Sequence, residues 1–180
     1  MTRFASLRRA LAGLLLLLSL VASLGFNPWS RAPRAVQLTP AVAALASEQG
    51  RLQRTLVIGN DAKASVTLVA AGVPVVNAVL YYPHPELWKK MGLTDSDWNE
   101  VNRYQHLIFS LEAIPPTEPP FKAHGDMDLV RVSIDPQRFD FASTGAGRIM
   151  APADTAQALS ANPGLRELGG HDGFVWFAVR

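Results

Sequence analysis

At 180 residues the chain is long enough for one ordinary domain and too short for two. Apolar residues make up 48% and charged residues 18%, which marks a globular body and excludes a disordered tail. The formal charge of +2 comes from the leader. Arg3, Arg8 and Arg9 precede the first acid, Glu48, and from Asn27 onward 14 Lys and Arg face 15 Asp and Glu. A body without a basic patch is no nucleic-acid binder. The absence of cysteine excludes disulfides, thiolate metal sites, a thiol nucleophile and an acylated lipoprotein cysteine.

Residues 1–30 read as a membrane anchor or signal peptide. Three arginines precede an uncharged run from Ala10 to Phe26, and Asn27-Pro28-Trp29 follows. Positive charge before an apolar run places the N-terminus in the cytoplasm and the body outside it. The run is apolar on every face, so it is read as one N-terminal hydrophobic helix and not as a core helix. Trp29 fits the aromatic belt of a retained anchor, the favoured reading, in which residues 10–26 partner the membrane. Cleavage after Ser23-Leu24-Gly25 is the alternative. Either way the body is extracytoplasmic, and the retained form sits at a bacterial inner membrane with its body on the periplasmic side.

Residues 31–40 form a proline-broken linker, and residues 41–180 a single α/β or α+β domain. In chain order, Thr39-Pro40 opens a helix through AVAALASEQG. Arg54–Gly59 is a buried strand, and Asn60-Asp61 caps a helix through AKASVTLVAAG. Val73–Tyr82 reads as a strand with Pro74 near its start. PELWKKMG and DWNEVNRYQ read as short helices, the second capped by Thr94–Asp97. His106–Ala113 is a strand, Ile114–Gly125 a proline-rich loop or extended arm, and Asp128–Ile134 a period-two strand. Arg148–Ala151 is a strand, Pro152–Leu168 a helical stretch broken at Asn162-Pro163-Gly164, and GGHDGFVWFAVR a turn and closing strand. Strands interleaved with helices predict one mixed sheet with short flanking helices.

Most motifs with chemical potential have a structural explanation. Gly59-Asn60-Asp61 follows a strand and opens a helix, but it matches neither phosphate-binding fingerprint, so Asp61 reads as a cap. His84, His106, His124 and His171 show no metal-ligand spacing, and Ser143–Gly147 is no nucleophile elbow. Neither a metal nor a cofactor is expected. Asp95 and Asp97 serve as helix caps, whereas Asp126 and Asp128 leave an ion site open. The exception is the polar, aromatic stretch DWNEVNRYQH with VNAVLYYPHPELWKK before it. Aromatics mixed with Asn, Arg and His suit a sugar- or peptide-binding surface, and equally a helix–loop unit packed over a sheet edge. The candidate ligand contacts are Asn77, Tyr82, Trp88, Asn102, Arg103, Tyr104 and His106.

NAVLYYPHPELWKKM followed by WNEVNRYQHLIFSL resembles a pattern in the extracytoplasmic C-terminal regions of large bacterial multi-pass membrane proteins of the glycosyltransferase-like kind. The closing GRIMAPADTAQALSANPGLRELGGHDGFVWFAVR is similar to the strand–helix–strand that ends such regions, and the resemblance spans roughly residues 50–180. Ala78 stands where the pattern has glycine. In that family transfer chemistry is expected in the membrane part, so the resemblance carries no catalytic residue to this chain. It implies a membrane-anchored, extracytoplasmic accessory or binding domain, non-catalytic, linked to cell-envelope glycan assembly, with a glycan or a multi-pass membrane protein as partner. Two other readings stand beside it. One is a secreted or periplasmic hydrolase using His124, Asp126 and Asp128. The other is a structural partner of a multi-pass membrane protein.

Overall fold

A computed structural model describes residues 2–23, 52–60, 63–93, 98, 100–101 and 105–180. The chain divides into two units, Met1–Gln37 and Leu38–Arg180. In the first, helix α1 (Thr2–Ser23) leaves Leu11, Leu14–Leu18, Leu20 and Val21 each at least 54% exposed, on all sides of the helix. Among the described residues, no helix is long and apolar enough to cross a membrane.

The second unit is mixed α/β and holds two four-stranded mixed sheets where the sequence predicts one. The first sheet runs β1 (Thr55–Val57), β6 (Arg148–Pro152), β8 (Phe174–Val179), β7 (Leu165–His171), with β1 and β6 parallel and the other pairs antiparallel. The second runs β2 (Val79–Leu80), β3 (Gln105–Leu111), β5 (Leu129–Ile134), β4 (Phe121–Asp126), with β3 and β5 parallel. Among the described residues the unit holds helices α2 (Lys63–Ala70), α3 (Pro85–Met91) and α4 (Ala156–Ser160), with single 3-10 turns at Phe141–Thr144 and Ala153–Thr155.

The strand alternation sorts side chains into two apolar layers. From the first sheet, Leu56, Ile149, Ala151, Val175 and Phe177 join Leu107, Phe109, Val130, Val132 and Ile134 of the second in one core. α3 covers that core with Leu87, Trp88 and Met91, and the 3-10 turn adds Phe141. The opposite face of the first sheet, Val57, Met150 and Trp176, packs under Leu68 of α2 and Val73. Phe139 stacks edge-on between Phe121 at 5.8 Å and Phe141 at 5.1 Å.

One side chain joins the two sheets. Asn77, 3% exposed, accepts the Val57 N–H on its Oδ1 at 2.9 Å. Its Nδ2 donates to the Val57 carbonyl at 2.9 Å and to the Leu107 carbonyl at 3.4 Å. The Asn77 amide thus stands in for a strand residue between β1 and β3. On one side of it Leu107 N–H bonds Ala78 O, and on the other Gly59 N–H bonds Phe109 O. The predicted strand Val73–Tyr82 shrinks to β2 for this reason. Thr55 and Val75 keep one parallel backbone bridge, with Thr55 N–H bonded to Pro74 O and Val76 N–H to Thr55 O, and the next pairing, to Val57, is made by the Asn77 side chain.

Three further departures have local causes. The proline-rich arm ends at Phe121, where β4 turns Phe121 and Ala123 inward and pairs with β5. The stretch Leu165–His171 is rich in helix formers yet forms β7, because pairing with β8 overrides propensity. The helix expected over residues 40–50 lies outside the described residues, as does most of the helix expected over DWNEVNRYQ. Of the latter, Trp98, Glu100 and Val101 are helical.

The Asp135 carboxylate secures the arm. Its Oδ1 accepts the N–H groups of Gln137 and Arg138 at 3.0 Å, and its Oδ2 meets Arg138 Nε at 3.2 Å. Arg138 in turn donates to the carbonyls of Ile114, Pro115 and Glu118. Burial pushes the Asp135 carboxyl up, but those N–H groups and the Arg138 guanidinium outweigh it and hold it below its ordinary 3.8.

Two predictions follow from these contacts. Asn77→Ala orphans both polar groups of buried Val57 and is expected to cost about 2–4 kcal/mol in urea denaturation, with lost hydrogen-exchange protection at the Val57 amide. Asp135→Asn is expected to cost about 2 kcal/mol at neutral pH. Because the folded-state pKa is depressed, this stability is complete above pH 3.8 and is lost as pH falls through the lower folded value. Denaturation curves of wild type and Asp135→Asn should therefore converge on acidification below about pH 4.

Candidate functional site

The second sheet has an open end where β3 begins. Leu80 lies opposite Gln105 and Val79 opposite His106, so Tyr81 and Tyr82 run past that end. Both tyrosines are exposed, at 75% and 79%. On the other side of β3, Leu129 pairs with His106 and also with Asp126, which brings the tip of the β4–β5 hairpin to the same end. His106 donates its N–H to the Asp128 carbonyl, and its Nε2 stands 3.9 Å from Asp128 Oδ2.

Met127 and Asp128 form the two-residue loop of that hairpin. Met127 has φ +46° at the first loop position, where glycine is favoured, and its side chain is 85% exposed. Met127 thus combines an exposed apolar side chain with a backbone conformation that glycine would adopt more easily. The β7–β8 hairpin gives the contrast. Its loop is Asp172-Gly173, both at positive φ, the pairing that a two-residue turn favours.

Glu100 ties the segment around Trp98 to the β4 edge. Its Oε1 lies 2.9 Å from His124 Nδ1 and accepts the Gly125 N–H at 3.0 Å. Trp98 Nε1 donates to Leu93 O, and Val101 enters the core. Asn102, Arg103 and Tyr104 follow this turn but lie outside the described residues.

The remaining predicted contacts divide sharply. Tyr82 and His106 stand at the open end of the sheet. Asn77 and Trp88 do not, which corrects their assignment as ligand contacts. Asn77 is the buried seam, and Trp88 is fully buried under α3 with no hydrogen-bond partner for its Nε1. Neither side chain offers a surface to a ligand. His84, just before α3, is half-buried. Burial, and next the nearby Arg54 guanidinium, hold its pKa below the ordinary 6.5, so it is neutral at physiological pH. Of the residues considered for a hydrolase, His124 is engaged by Glu100 and Asp128 by His106. Among the described residues no group of three His, Asp or Glu side chains is placed to hold a metal ion.

Sequence reasoning overlooked Met127 and Glu100. A two-residue interval between the alternating runs FKAHGD and LVRVSI signals the hairpin, but nothing in the sequence announces that Glu100 reaches β4. Met127→Gly relieves the positive φ and is expected to stabilise the body by roughly 0.5–1.5 kcal/mol in urea denaturation. An unchanged or lowered midpoint would show that the tip is not strained.

Residues 35–180 match the family described as a domain of unknown function, DUF7654. Neither the curated proteins nor the solved structures contain a significant match to the chain. The match covers the whole body, including both sheets and the open end of the second, so the chain belongs to the DUF7654 family.

Proposed function

We propose that the body is an extracytoplasmic binding module, held at a bacterial inner membrane by its N-terminal helix and serving cell-envelope glycan assembly. The observation that carries the binding role is the exposure of two consecutive tyrosines, Tyr81 and Tyr82, which follow β2 at the end of the second sheet where His106 and Asp128 also lie. Aromatic faces with nearby polar groups suit a sugar ring, whose C–H face stacks while its hydroxyls take hydrogen bonds. The anchoring role is supported by α1. It exposes leucines on all sides, and the arginines of the chain's first turns precede them, the charge order of an outward-facing domain. The resemblance to the C-terminal regions of glycosyltransferase-like membrane proteins supports the glycan partner. The DUF7654 match neither adds to nor detracts from it.

The test is affinity electrophoresis of the full chain in detergent against isolated envelope polysaccharide. Tyr82→Ala is expected to weaken retention about tenfold, equivalent to about 1.4 kcal/mol of stacking. Its unfolding midpoint should not move, because the ring makes little contact with the core. Equal retention of wild type and variant would overturn the glycan reading.

A further inference from the structure

The outer side of the first sheet carries an exposed apolar ridge bordered by cations. Helix α2 turns Leu68 into the sheet, whereas Val66, Val69 and Ala70 are exposed, the two valines at 45% and 50%. After α2 the chain folds back, so that Val73 packs with Leu68 and the Pro74 carbonyl takes the Thr55 N–H. This brings the C-terminal end of the helix to the start of β1. The sheet row that begins there runs Thr55, Arg148, Ala178, Arg166. It lies two residues along the strands from Val57, Met150 and Trp176, which α2 covers, and so faces the same way. Arg166 is exposed and Arg148 half-buried, and among the described residues neither guanidinium makes a hydrogen bond or an ion pair. Acids lie elsewhere. α2 holds none. Glu167 stands opposite the core residue Phe177 and accepts the Ser160 hydroxyl. Asp154 and Asp172 lie at the other end of the sheet, past Pro152 and His171.

We propose that this side of the body is a docking surface for an anionic phospholipid bilayer, with Val66, Val69 and Ala70 entering the headgroup layer and Arg148 and Arg166 pairing with lipid phosphates. Apolar residues on the outside of a helix, with cations beside them and no acid, form the pattern of an interfacial contact. Arginine suits the border, because its stem lies along apolar surface while its planar fork meets two phosphate oxygens. Charge and apolar area select the partner together. A sugar polymer has no use for the valines, and a wholly apolar partner has none for the arginines. Each arginine near an anionic surface strengthens the contact about fivefold. Two such gains are too small to recruit a protein from solution, yet they suffice to orient one already held beside the bilayer. The docking surface therefore rests on the anchoring role proposed for α1, and it is separate from the glycan site at Tyr81–Tyr82.

The test uses the full chain in lipid vesicles. The sequence has no cysteine, so Thr67→Cys, on the outside of α2, takes a single nitroxide label, and Thr117→Cys, on the proline-rich arm, takes one in a second sample. Flotation with pure phosphatidylcholine vesicles reads the anchor. Collisions of each label with lipid-soluble oxygen, against those with a water-soluble nickel complex, read the docking surface. In vesicles of equal parts phosphatidylglycerol and phosphatidylcholine, the label on α2 is expected in the headgroup layer and the label on the arm in water. High salt, or pure phosphatidylcholine, should return the α2 label to water. Arg148→Gln and Arg166→Gln should each lower the docked-to-free ratio about fivefold. The unfolding midpoint should not move, since neither guanidinium holds another residue and glutamine keeps most of the stem. If the chain floats but the α2 label stays in water, if both labels meet lipid equally, or if the Arg148→Gln/Arg166→Gln double variant docks like wild type, the docking surface is overturned and the anchor stands. A chain that does not float overturns the anchor, and the docking surface with it. Immobilisation of the α2 label by a soluble acidic polysaccharide, and not by anionic vesicles, would give this side to a glycan and overturn the lipid assignment.

Discussion

The body depends on one side-chain amide. A β-sheet is stable when its central strands are paired on both edges, and an unpaired buried backbone group costs as much as several exposed contacts return. β1 is paired with β6 on one edge. On the other it keeps a single parallel bridge, Thr55 to Val75, beyond which the backbone ladder stops at Val57. Asn77 supplies the missing donor and acceptor to Val57 and reaches across to Leu107. Asparagine suits this position because its primary amide carries the same donor and acceptor as a peptide unit. Aspartate would lack the donor, and leucine would lack both.

The consequence is that two small sheets share one core. Leu56 and Ile58 on one side of the seam and Leu107 and Phe109 on the other face the same apolar layer, so α3 and the Phe141–Thr144 turn cover both sheets at once. A sheet needs a hydrophobic face or a packed helix to be stable, and these two share one such face. Joined, they bury Trp88, Phe109, Phe141 and Phe177 almost completely. Truncating such side chains typically costs 3–5 kcal/mol each.

The joined core also decides which surfaces are free. α2 covers the far face of the first sheet, whereas the far face of the second carries polar and charged side chains on β4 and buries Ile108 and Ser110 of β3. The exposed tyrosines Tyr81 and Tyr82 and the hairpin tip at Met127 both belong to this second sheet. Its edge is shielded rather than open to further strands: Glu100 occupies the Gly125 N–H of β4, and β2 is two residues long. Recognition through side chains rather than by strand addition is what such an arrangement allows.

Local patterning in the sequence determined a good part of this. The leader's charge order, the period-two run before Asp135, the Asp172-Gly173 turn and the closing strand are local signals with local physical causes. α3 likewise begins at Pro85 and ends at Gly92, which adopts φ +80°. Tertiary structure alone decided the rest, because the relevant partners are distant in sequence. Asn77 looked like a ligand contact until Val57, 20 residues away, and Leu107, 30 away, claimed its amide. Trp88 looked like a binding aromatic until the core closed over it. β4 and β7 carry glycine and helix-former residues that argue against strands, and they became strands only through pairing with β5 and β8.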